Sequence, residues 1–74
     1  MNFIQISNFL KNGYKVRRNG WKGYWVMEDG EIIMYCNQNT DNDELVPIPL
    51  KETKDILFTL NNVASNDWMI VEEE

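Results

Sequence analysis

The sequence predicts an α+β domain: an N-terminal helix packed on a small, mostly antiparallel β-sheet of four to five strands, with a short second helical turn before the last strand. Three observations predict it. Residues 2–13 carry a helical cap, a helical apolar spacing and a helical stop. Residues 24–36 form two β-rich runs around Asp29-Gly30. No internal repeat or linker divides the 74 residues, so residues 1–74 form one domain.

The elements follow in order. Asn2 with Gln5 three positions on is a capping box, and Gly13 after Lys11-Asn12 is a left-handed stop. Phe3, Ile6, Phe9 and Leu10 share an arc of about 120° and form the core face. Ile4 lies off that arc, either simply exposed or facing a neighbouring subunit. From Tyr14 to Arg18 the chain alternates: Tyr14, Val16 and Arg18 point one way, Lys15 and Arg17 the other. Asn19-Gly20 then turns it. Residues 24–28 and 31–36 pair as a hairpin across Asp29-Gly30. Residues 37–44 are polar throughout and read as a loop. Pro47 and Pro49 make residues 45–50 an edge segment, because proline cannot donate to a ladder. Residues 55–60 fit both a strand and a helix, and the strand is preferred here. Thr59 then caps a short helical turn over 61–65, Asp67-Trp68 opens the last strand, and the acidic tail is a frayed end.

Composition limits the chemistry. A domain this small buries only roughly 60% of its unfolded surface, and its single cysteine and lack of histidine exclude a disulfide within the chain and a typical zinc site. Self-association is the remaining source of stability. No signal peptide or membrane-length apolar run is present, which predicts a cytoplasmic protein with no membrane partner. The acids of 37–44 lack the spacing of a calcium loop. Without histidine, with Cys36 in a strand and no activating base nearby, and with no phosphate-loop glycine pattern, the chain is expected to be no enzyme and to need no metal or cofactor.

Charge is divided unevenly. Residues 1–27 hold five bases and no acid, while residues 28–74 hold two bases and twelve acids, giving a net charge of −5. A local basic patch on an acidic chain suits one small anion and not DNA or RNA, whose backbones need a broad basic face. The patch centres on Lys15-Val16-Arg17-Arg18-Asn19-Gly20-Trp21, where guanidinium groups to hold a phosphate lie near an indole that stacks on planar rings. Arg17 and Arg18 point to opposite faces, so each is either a phosphate partner or a group paired with acids such as Glu28 or Asp67. Trp21 either stacks on a ligand or caps the core, whereas Trp25 and Trp68 sit in strand patterns and read as core. Tyr24 and Tyr35 either line a cleft or are half-buried sheet residues.

The outline of a short helix ending in Phe9-Leu10-Lys11-Asn12-Gly13, then Val16-x-Arg18-x-Gly20-Trp21, and a closing Asp67-Trp68-x-Ile70-Val71 resembles the second Thoeris anti-defense family of phage and prophage proteins. The resemblance implies a non-catalytic sponge in the host bacterial cytosol. It would capture cyclic ADP-ribose-type signals, or in some members cyclic oligonucleotides, and keep them from the immune effector. It also implies a homo-oligomer, dimer or tetramer, with pockets at subunit interfaces. Carried over by motif, Trp21 is the stacking platform and Arg18 the phosphate partner. Asp67 would accept from ribose hydroxyls or an exocyclic amine, beside a capping role, and Arg17 and Tyr24 complete the ligand-binding set. Lys22 stands where the family commonly has Asn. The alternative is a small acidic module that inhibits a host or phage protein by binding it.

Overall fold

The computed structural model describes residues 1–36 and 44–72. Helix α1 (Phe3–Lys11) opens the chain, and strands β1 (Val16–Arg18), β2 (Tyr24–Glu28), β3 (Glu31–Cys36) and β4 (Val46–Pro49) follow. A 3-10 turn over Leu50–Glu52, helix α2 (Ile56–Val63) and strand β5 (Trp68–Ile70) complete it. The five strands form one antiparallel sheet in the order β4-β3-β2-β1-β5. This is the predicted α+β architecture.

The caps explain where α1 begins and ends. Asn2 accepts from the Gln5 backbone N–H at 2.8 Å while the Gln5 side chain accepts from the Asn2 N–H at 3.0 Å. Gly13 takes the left-handed conformation at φ 88°, which only glycine adopts cheaply. Between these ends, Ile6 and Leu10 are buried, and Phe3 and Phe9 pack beside them. Ile4 is 79% exposed.

The sheet supplies the other half of the core through one cross-strand row. Ile70, Val16, Trp25, Met34 and Ile48 stand opposite one another on β5, β1, β2, β3 and β4. Period-two alternation puts all five on the same face. Helix α1 packs across β1, β2 and β5 at this row. Asp29 at φ 52° and Gly30 at φ 79° close the β2–β3 hairpin with Glu28 opposite Glu31, as the Asp-Gly pair predicts. Strand β4 lies at the sheet edge, where Pro47 and Pro49 are tolerated.

One element differs from expectation. Residues 56–60 belong to α2, not to a strand. Asp55 caps the helix by accepting from the Phe58 N–H at 2.9 Å, and Thr59 lies inside it, its hydroxyl donating to the Asp55 carbonyl at 3.2 Å. An Asp three residues before the first free N–H is a local signal, and it outweighed the β-branched and aromatic content of the run. The expected loop over 37–44 lies outside the described residues except for Glu44.

Candidate functional site

The turn after β1 places the site. Gly20, at φ 90°, lets the Trp21 N–H return to the Arg18 carbonyl at 3.1 Å, which sends the indole back over the end of the sheet. There it meets Trp68 at 5.3 Å and Trp25 at 5.9 Å between ring centroids, both buried. Trp21 itself is half-buried. It walls a cleft of about 440 Å³ together with Lys22, Gly23, Trp25, Tyr35, Cys36 and Phe58. That volume falls within the range of small-molecule sites, and four of the seven walls are aromatic.

Gly23 forms the close approach in the cleft. A Cβ at this position would lie 2.0 Å from the Tyr35 carbonyl oxygen, so the chain passes here only without a side chain. Opposite stands Phe58 on α2, and its setting depends on a polar node behind the indoles. Arg18 donates from Nε to Asp67 Oδ1 at 2.7 Å, from Nη2 to Asp67 Oδ2 at 3.3 Å and from Nη1 to Asn62 Oδ1 at 2.9 Å. Asn62 is buried, and its backbone carbonyl accepts from Trp68 Nε1 at 2.8 Å. Phe58 and Asn62 are four residues apart, hence on the same side of α2. The node that holds Asn62 therefore also fixes Phe58 against the cleft.

The five residues singled out from the sequence fall into three places. Trp21 lines the cleft. Arg18 and Asp67 form a bidentate ion pair beside it, one of the two alternatives the sequence left open for Arg18. Arg17 lies on the other face, where its Nη1 donates to the Trp21 carbonyl at 2.9 Å and so braces the turn from behind. Tyr24 is also on that face, stacked on Tyr35 at 4.9 Å and 22°, with the Lys15 ammonium 5.0 Å from its ring centre. Trp25 and Trp68 are core, as their strand patterns predict.

Three titratable groups near the cleft are shifted from their ordinary values. The Arg18 guanidinium hydrogen-bonded to Asp67 holds its carboxyl below the usual range. Burial pushes the Cys36 thiol up, toward the protonated form. The Tyr35 phenol donates to Glu28 at 2.7 Å, and that bond raises its pKa. Such a cleft suits stacking on a planar ring system, with the Lys22 ammonium as the cation on its wall.

Phe58, Lys22 and Gly23 were not foreseen as site residues. Phe58 was concealed by the strand reading of 55–60, and the Asp55 cap was the signal that places it on a helix. Gly23 carries no sequence mark, since its role arises from the β3 backbone passing beside it.

No helix among the described residues is long and apolar enough to cross a membrane. No curated protein and no solved structure matches the chain. A family model for the Thoeris anti-defense 2-like domain matches residues 1–71.

Proposed function

Because the chain belongs to the Thoeris anti-defense 2-like family, we propose that it serves its Thoeris anti-defense role as a sponge. It binds a cyclic ADP-ribose-type signal in the Trp21 cleft and holds it uncleaved in the host cytosol, so that the effector is not triggered. The observation that carries this reading is the cleft itself, a space of about 440 Å³ whose lining includes Trp21, Trp25 and Phe58. A sponge needs affinity and stoichiometry. A submicromolar dissociation constant corresponds to about −8 kcal/mol or better. Stacking one base contributes about 1–3 kcal/mol, so the rest must come from further ring contacts and from charge contacts to the phosphates, for which Lys22 is the cation on the wall. Arg18 then acts by positioning: it holds Asn62, and through α2 the Phe58 ring.

Calorimetric titration of the purified protein with cyclic ADP-ribose isomers tests the reading, followed by heat release and chromatography of the ligand. The reading expects saturable binding, recovery of unchanged ligand, and loss of at least tenfold in affinity for both Trp21→Ala and Phe58→Ala. Chemically altered ligand would make the protein an enzyme. No binding to any cyclic nucleotide would remove the sponge altogether. Assembly as a homo-oligomer belongs to the same proposal.

A further inference from the structure

The three tryptophans of the chain form one cluster, with ring centroids 5.1 Å apart for Trp25 and Trp68, 5.3 Å for Trp21 and Trp68, and 5.9 Å for Trp21 and Trp25. An indole carries one N–H, which donates and cannot accept. Trp68 uses its own on the Asn62 carbonyl at 2.8 Å. Trp25 does not. It is 1% exposed, and among the described residues its Nε1 and Asn62 Nδ2 are the buried side-chain nitrogens with no hydrogen-bond partner. A buried donor left unmet destabilises a fold, and native folds carry few of them. Asn62 does not line the cleft, whereas Trp25 does. One of the two unmet donors therefore belongs to a residue of the site itself.

We propose that Trp25 Nε1–H is the donor that reads the ring system of a ligand in this cleft: the Trp21 indole turns aside, and a carbonyl oxygen or unprotonated ring nitrogen of the entering base accepts from Trp25. Three rings pack on Trp25, those of Phe3, Trp21 and Trp68, and of these three only Trp21 also lines the cleft. The Trp21 backbone is held on both sides, its N–H donating to the Arg18 carbonyl at 3.1 Å and its carbonyl accepting from Arg17 Nη1 at 2.9 Å. The motion is thus a rotation of the side chain on a fixed turn. The buried setting decides which part of the ligand enters. A phosphate would have to shed its water for one neutral donor among rings, whereas a flat base edge brings a single acceptor and an apolar face. The base goes inward and the phosphates stay outward, at Lys22. The site then selects an acceptor on the inner edge of the base and rejects the same ring with a C–H there, because the donor would stay unmet. This rests on nucleotide capture in the cleft and adds the edge of the ring that is read.

The test follows the three indole N–H signals of the isotope-labelled full chain by NMR, assigned through their own backbone amides. The probes are a cyclic ADP-ribose isomer and versions of it in which one adenine ring nitrogen at a time is replaced by C–H. The Trp25 signal is expected to move downfield as the parent ligand saturates the protein, and the Trp68 signal, already bonded to the Asn62 carbonyl, to move less. One ring replacement is expected to bind about tenfold more weakly, the size of one hydrogen bond, and to leave the Trp25 signal where it stands in the free protein. Without ligand, Trp21→Ala should speed deuterium exchange of the Trp25 indole proton by on the order of tenfold while the β2 backbone amides keep their rates. Saturable binding with an unmoved Trp25 signal, equal affinity for every ring replacement, or unchanged exchange in Trp21→Ala overturns the assignment and leaves the sponge standing. Absence of binding by all of these ligands removes the sponge, and this reading with it.

Discussion

Gly23→Ala is predicted to be the most damaging glycine substitution in the chain, although Gly23 is not among the glycines with positive φ. The new Cβ would lie 2.0 Å from the Tyr35 carbonyl oxygen, 3.2 Å from the Tyr35 carbonyl carbon and 3.5 Å from the Cys36 Cα. Close C···O contacts are found at about 3.3 Å, so β2 and β3 must part by roughly 1 Å at their Tyr24–Tyr35 pair. That displacement costs about 1–3 kcal/mol as overpacking. It also disturbs the Tyr24–Tyr35 stack, worth about 0.5–1.5 kcal/mol. Together the loss is about 2–4 kcal/mol, against a total of about 4–11 kcal/mol for a domain of this length. Thermal unfolding followed by tryptophan fluorescence should show a Tm lower by on the order of 10–25 °C. Gly20 is the control, because its φ of 90° is strained for other residues while nothing lies within 4 Å of its Cβ position. Gly20→Ala should cost about 1 kcal/mol, and Gly20→Asn less, since Asn tolerates that conformation. Gly23→Asn should be as harmful as Gly23→Ala. If Gly23→Ala melts no lower than Gly20→Ala, the close approach of β3 to Gly23 is not as described.

Three further outcomes follow from the polar node and the cleft wall. Arg18→Met leaves the buried Asn62 Oδ1 without its donor; urea unfolding should show a loss of about 1–3 kcal/mol, and an unchanged midpoint would contradict the node. The Asp67 carboxyl is depressed in the folded protein. Its contribution is therefore present above the unfolded value of about 3.9 and is lost as pH falls through the lower folded value. The urea midpoint should fall over that acid window in the wild type and fall less there in Arg18→Met; equal acid limbs would refute the assignment. The Cys36 thiol, raised by burial, should react with iodoacetamide more slowly than a free thiol at neutral pH, and a faster reaction would mean an activated sulfur.

Elements whose determinants are local were legible in the sequence. The Asn2–Gln5 box, the Gly13 stop and the Asp29-Gly30 turn each act within a few residues, and the structure repeats them. The row of Val16, Trp25 and Met34 follows from alternation once the hairpin is set. The 55–60 run was not legible by composition, because Ile, Leu, Phe and Thr serve strand and helix alike. The decision lay in one hydrogen bond from the Phe58 N–H to Asp55. The site was legible only in part. Trp21 could be marked because a turn precedes it. The union of Arg18 with Asp67 and Asn62 spans more than forty positions, a distance at which spacing carries no information.

The most direct measurement is titration of the wild-type protein and Phe58→Ala with a cyclic ADP-ribose isomer, with the melting temperature of each recorded beside it. Phe58 is 37% exposed, so its truncation should leave the chain folded. The account predicts submicromolar, saturable binding by the wild type, intact ligand on release, and at least a tenfold weaker affinity in the folded variant. Equal affinity in the two proteins would show that the signal, if captured at all, is held somewhere other than between Trp21 and α2.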